Sequence, residues 1–73
     1  MTKDEFLEQM QDVLQTDDTL TTETALCDLA EWDSLAMMAT MAFLDKNFGA
    51  KVSIAAIRAF ATIGDIATAA GLT

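Results

Sequence analysis

The chain is 73 residues long with a net charge of −8, and 52% of its residues are apolar against 22% charged. That length allows one small domain, which buries roughly 60% of its unfolded surface, and the apolar content is too high for a disordered chain. One cysteine and no histidine exclude an internal disulfide framework and a Cys/His zinc site, and they remove the commonest general base.

Thr2-Lys3-Asp4-Glu5 is a capping-box pattern, with Thr2 placed to cap the amide of Glu5 and Glu5 to reach back. Phe6, Leu7, Met10, Val13 and Leu14 follow at helical spacing, and Asp4, Glu5, Glu8, Gln11 and Asp12 take the other side. A first helix over about residues 3–15 is expected. From Thr16 to Asp33 the pattern dissolves into Thr and Asp with isolated Leu20, Leu26, Leu29 and Trp32. A loop of that length in a small domain means function or hidden short helices. The leucines pin it to the core, Trp32 anchors it, and a helical turn near 23–29 is allowed. Cys27 reads as a partly buried loop residue with nothing to activate it.

Asp33 is a good N-cap for a second helix from Ser34 to Phe48, with Gly49 ending it. Ser53 caps a short third segment whose apolar side is Ile54, Ile57 and Phe60. Thr62-Ile63-Gly64-Asp65 caps a fourth, which carries Ile66, Ala69 and Ala70 to Gly71. No strand signal is present. The expected fold is all-α: a small four-helix bundle, three main helices and a short third one, with a long loop between helices I and II. Residues 1–73 form a single domain.

The second helix is apolar nearly all round. Leu35, Met38 and Ala42 lie on one side, and Met37, Met41, Leu44 and Phe48 lie nearer the opposite one. Such a helix is normally buried on every side, which four helices in 73 residues cannot achieve. Some of Leu35, Ala36, Met37, Ala39 and Met41 must therefore face water or a partner. Flexible Met side chains suit an adaptable docking surface.

Charge divides at the same point. Residues 1–33 hold ten of the twelve acids and one base, a net −9, while residues 34–73 carry +1. The acidic balance argues against a partner that is a nucleic acid. The most apolar run, Leu35 to Leu44 with Thr40 inside it, is too short to cross a bilayer. No basic n-region precedes an apolar stretch, so no signal peptide is expected and the default location is cytoplasmic.

Trp32-Asp33-Ser34-Leu35, placed after an acidic first helix and a long loop, resembles the acyl carrier protein family over essentially the whole chain. The resemblance implies that Ser34 is esterified with 4′-phosphopantetheine, donated by coenzyme A through a phosphopantetheinyl transferase. The thiol of that group then holds an acyl group as a thioester, and the chain itself is not an enzyme. It implies that Asp33 and Leu35 are recognised by the transferase and by partner enzymes. A serine at a helix N-terminus agrees with this, because unpaired amides and the dipole favour a phosphodiester there.

One departure bears on pathway. Carriers of bacterial fatty acid synthesis line helix II with acids; here those positions include Ala36 and Ala39, and the helix has one acid, Asp45. Docking through apolar contacts at Leu35, Met37, Met38 and Met41 is expected, on a dedicated set of acyl-loading and acyl-processing enzymes. The leading reading is a stand-alone, monomeric acyl carrier for a specialised fatty acid, polyketide or related pathway, its cargo partly housed where Ala39, Ala42 and Ala59 leave room. The alternatives are an aminoacyl or peptidyl carrier of nonribosomal type, and an unmodified helical adaptor that binds a partner through helix II. No metal is called for.

Overall fold

Thr2 opens the first helix by the reciprocal cap its sequence encodes. In the computed structural model, which describes residues 1–72, the Glu5 amide donates to Thr2 Oγ1 at 3.2 Å and the Thr2 amide donates to Glu5 Oε1 at 3.2 Å. Helix α1 runs Lys3–Leu14 and stops at Gln15, whose amide donates to the carbonyls of Gln11 and Asp12 and whose left-handed backbone (φ 54°) turns the Thr16 amide back onto Gln11 O at 3.1 Å. Phe6, Met10 and Leu14 are buried, while Leu7 and Val13 are half-buried against the core.

The loop that follows contains a single short 3-10 turn, Leu26–Asp28, inside the stretch where a helical turn was allowed. Leu20, Leu26 and Leu29 are buried, and Trp32 packs half-buried against the core, so the spaced apolar residues do pin the loop. Backbone pairing with the far end of the chain fixes it as well. Leu26 donates to Ala61 O at 2.9 Å, Ile63 to Thr24 O at 3.0 Å and Gly64 to Thr22 O at 2.8 Å, around an antiparallel bridge between Ala25 and Thr62. This pairing supplies partners that a buried loop would otherwise lack. It is an isolated bridge and not a strand.

Helix α2 is Ser34–Phe48, ended by Gly49 in the left-handed region (φ 63°) with its amide donating to Asp45 O at 3.0 Å. Helix α3 is Ile54–Ala59, capped by Ser53 Oγ accepting from the Ala56 amide at 3.2 Å. Helix α4 is Ile63–Ala69. Thr62 Oγ1 accepts from the Asp65 amide at 3.3 Å, and Asp65 Oδ2 accepts from the amides of Ala61 and Thr62. Every helix is thus begun by a Thr, Asp or Ser whose side chain satisfies an otherwise unpaired amide. Among the described residues the architecture is an all-α bundle of four helices.

Helix α2 is the axis of the packing, in contact with α1 on one side and α3 on the other. Phe6, near the start of α1, meets Phe43 and Phe48, near the end of α2, at ring-centroid distances of 6.0 and 6.2 Å; Phe43 and Phe48 are 5.7 Å apart. The two helices are therefore antiparallel, and the Gln15 end of α1 lies beside the Ser34 end of α2. The three rings adopt tilted and edge-on geometries, which suit the aromatic quadrupole better than a sandwich. Ile57, Ile63, Ile66 and Ala67 complete the buried core.

Several expectations are corrected. Phe60 lies beyond the end of α3, in extended backbone, and still packs against the core. In α4 the buried residues are Ile63, Ile66 and Ala67, with Ala69 and Ala70 only half-buried. Cys27 is exposed, because the 3-10 turn directs Leu26 inward and its neighbour outward. Ala39, Ala42 and Ala59 lie on the exposed surface, where Ala39 and Ala42 line open grooves beside α2 and not an enclosed interior cavity.

Candidate functional site

The first turn of α2 is built by Asp33. Its backbone is extended (φ −127°, ψ −175°), and its Oδ1 accepts the Ala36 amide at 2.9 Å while its carbonyl accepts from Met37 at 2.9 Å. Because Asp33 performs the cap, Ser34 is the first helical residue and its hydroxyl is released from capping. Ser34 is exposed. The amides of Ser34 and Leu35 have no acceptor among the described residues; they belong to the four unpaired donors that open any helix. An anionic ester on Ser34 would meet these amides and the positive end of a fifteen-residue helix, a combination that favours phosphate. The neighbouring Asp33 carboxylate is turned onto the Ala36 amide, which leaves the Ser34 and Leu35 amides open to an anion. The local chemistry therefore fits a phosphodiester.

The methionines and leucine singled out on α2 separate into two groups. Leu35 is 76% and Met38 56% exposed, which is unusual for side chains of their size. Met37 and Met41 are half-buried and packed against the core. Ala36 is buried, as are Thr40, Phe43 and Leu44. Helix α2 thus has a definite inner face that its sequence conceals, since apolar residues also occupy the outer one.

Two grooves flank this helix. One, of about 270 Å³, lies between the end of α1 and the start of α2, with Leu14 and Ala36 below and Glu31, Asp33 and Leu35 at its edge beside Ser34. The other, of about 450 Å³, lies toward α3 and is lined by Met41, Ala42, Asp45, Lys51, Val52 and Ser53. Sequence reasoning did not single out Lys51, Val52 or the hydroxyl of Thr40. The signal for Thr40 was present, as a polar residue within an otherwise apolar helix. Among the described residues no three His, Cys, Asp or Glu side chains gather where they could hold a metal ion.

The family model described as phosphopantetheine attachment site matches residues 4–70, from the first turn of α1 to the end of α4. No curated protein and no solved structure gives a significant match. A match over so much of the chain, on a bundle whose second helix opens with an exposed serine and unpaired amides, leaves one conclusion: the chain belongs to the phosphopantetheine attachment site family, carrier domains to which 4′-phosphopantetheine is covalently joined.

Proposed function

We propose that Ser34 is the attachment serine and that this chain is a monomeric, cytoplasmic acyl carrier serving the enzymes of a dedicated biosynthetic pathway. One observation carries the reading: Asp33, and not Ser34, caps α2. A serine in the capping role would have its oxygen committed to a backbone amide. Here the oxygen is exposed at the helix start and available to attack a phosphoryl donor. Asp33 orients the first turn, the Ser34 and Leu35 amides receive the phosphate, and Leu35 and Met38 offer the exposed apolar surface that partner enzymes contact. The prosthetic group supplies a thiol that holds acyl groups as thioesters.

The chain supplies position and recognition, not catalysis. It has no histidine, so the transferase brings the base and the metal. No helix of the described residues is long and apolar enough to cross a membrane. The pathway is a specialised one, for a fatty acid, a polyketide or a related product, because α2 has a single acid, Asp45, and presents Leu35, Met38, Ala39 and Ala42 to solvent. Enzymes that recognise a carrier by an acidic helix would gain little steering from this surface. The same neutral surface favours, as a second reading, an aminoacyl or peptidyl cargo on the same serine.

Intact mass spectrometry after incubation with coenzyme A and a broad-specificity phosphopantetheinyl transferase tests the assignment. Addition of one phosphopantetheine to the parent and none to Ser34→Ala is expected. A folded, initially unmodified chain that several transferases leave unchanged would overturn it, and would favour an unmodified adaptor that uses helix α2 to bind another protein.

A further inference from the structure

The hydroxyl of Thr40 is the one buried side-chain polar atom without a hydrogen-bond partner among the described residues, and the residue is 0% exposed. The other buried threonine, Thr16, accepts the Asp18 amide at 3.2 Å. A threonine inside a helix ordinarily bonds the carbonyl one turn back, and Thr40 does not. A hydroxyl held this way in an apolar interior is costly unless something pairs with it. We propose that its partner is the cargo: the bundle selects a short acyl chain bearing a hydroxyl or keto oxygen, which reaches Thr40 past Met37 and Met41. The proposal rests on the carrier reading and names the class of acyl group carried at Ser34.

The path follows from helix geometry. Ser34, Met37, Met38, Met41 and Asp45 stand at spacings of three, four, seven and eleven residues, on one side of α2. At 1.5 Å rise per residue, Met41 is about 10 Å along the axis from Ser34. The 450 Å³ groove opens there, with Met41, Ala42 and Asp45 on one wall and Lys51, Val52 and Ser53 on the other. Met37 and Met41 are half-buried and lie about 60° and 100° round the helix from Thr40. They therefore separate the groove side from the inner face. Methionine is unbranched and has three rotatable bonds, so these two can yield to a chain that a branched residue would block. Of the buried residues of α2, Ala36, Phe43 and Leu44 are apolar, which leaves Thr40 as its one buried polar anchor. A saturated chain fills space but leaves the hydroxyl unpaired, whereas a chain with an oxygen near its thioester satisfies it.

The test loads the full chain at Ser34 from butyryl-coenzyme A and from 3-hydroxybutyryl-coenzyme A with a broad-specificity transferase. The rate of thioester cleavage by hydroxylamine is then followed by intact mass, with each rate divided by that of the same thioester on coenzyme A. In the parent, the hydroxyacyl form should resist cleavage about three- to tenfold longer than the butyryl form, the discrimination expected of one buried hydrogen bond. Thr40→Val, which keeps the shape and removes the hydroxyl, should erase the difference, and Thr40→Ser should retain it. Equal protection of the two cargoes in the parent overturns the proposal. So does a difference that survives in Thr40→Val. Failure of both thioesters to load at Ser34 is a separate result, which overturns the carrier reading and this inference with it.

Discussion

The Gly64 amide donates to the Thr22 carbonyl at 2.8 Å, and a Cβ on Gly64 would stand 2.7 Å from that same oxygen. The first turn of α4 and the long loop thus approach closely enough that only a hydrogen fits. The obstacle is backbone and not a flexible side-chain end, so relief requires the loop to move. Gly64→Ala should destabilise the protein by roughly 1–3 kcal/mol, read as a lowered midpoint in urea denaturation. Unchanged stability would mean that the loop gives way freely.

Removal of the α2 cap has a separate signature. Asp33→Ala leaves the Ala36 amide without its acceptor and should cost about 1 kcal/mol, while Asp33→Asn, which can still cap, should cost less. Denaturation curves distinguish the two. In Asp33→Ala the adjacent Ser34 hydroxyl becomes the nearest substitute cap, so loading by a transferase should slow by more than the stability loss explains. Asp33→Asn should separate the effect of the lost cap from that of the lost charge.

Glu5 has a pH signature. Its carboxyl is held below the ordinary glutamate value by the Thr2 backbone amide first, then by the Thr2 hydroxyl, with a smaller contribution from the N-terminal charge and with desolvation opposing. A folded-state value below the unfolded one stabilises fully above the unfolded value and loses that stabilisation as pH falls through the folded one. The stability difference between the parent and Glu5→Ala should therefore be greatest near neutral pH and narrow in acid. A two-dimensional NMR titration should give the Glu5 carboxyl a midpoint below the ordinary glutamate value.

Phe6 is fully buried and shares ring contacts with Phe43 and Phe48. Phe6→Ala should cost roughly 3–5 kcal/mol, a large part of the margin of so small a domain. Far-UV circular dichroism at room temperature should show a substantial loss of helix. Leu35→Ala, at an exposed position, should leave stability within about 0.5 kcal/mol of the parent. An effect of that variant on loading or processing would then report on partner contact.

Thr40→Val in the unloaded chain should raise the thermal midpoint by a few degrees, since about 1 kcal/mol is expected from removing an unpaired buried hydroxyl. A fall in the midpoint would indicate that the hydroxyl has a partner in solution.

Much of the fold was legible because its boundaries are written in side chains that act locally. Thr2, Asp33, Ser53 and Thr62 each precede a helix by one residue, and Gly49 ends one. Local hydrogen bonding requires no knowledge of the rest of the chain. What lay beyond reach depends on distant partners. The pairing of residues 22–26 with 61–64 is carried by backbone groups that every residue possesses. The inner face of α2 could not be read from periodicity, because Leu35 and Met38 on the outside are as apolar as Phe43 and Leu44 on the inside. The alanines misled for a related reason: a small apolar side chain suits an interior gap and a surface equally well. The start of the site was the most legible part, since Asp33-Ser34-Leu35 joins a cap, an exposed hydroxyl and an exposed leucine in three consecutive residues.

The backbone pairing of the loop has a consequence for biosynthesis. The loop that leads into Ser34 is held by Ala61, Thr62, Ile63 and Gly64, which are translated well after the serine itself. A nascent chain that has emerged only to Arg58 contains Asp33-Ser34-Leu35 but has none of those anchors. The serine takes up its finished setting only once residues 61–64 have cleared the ribosomal tunnel, so a modifying enzyme that reads the folded shape passes over nascent chains that have not emerged that far.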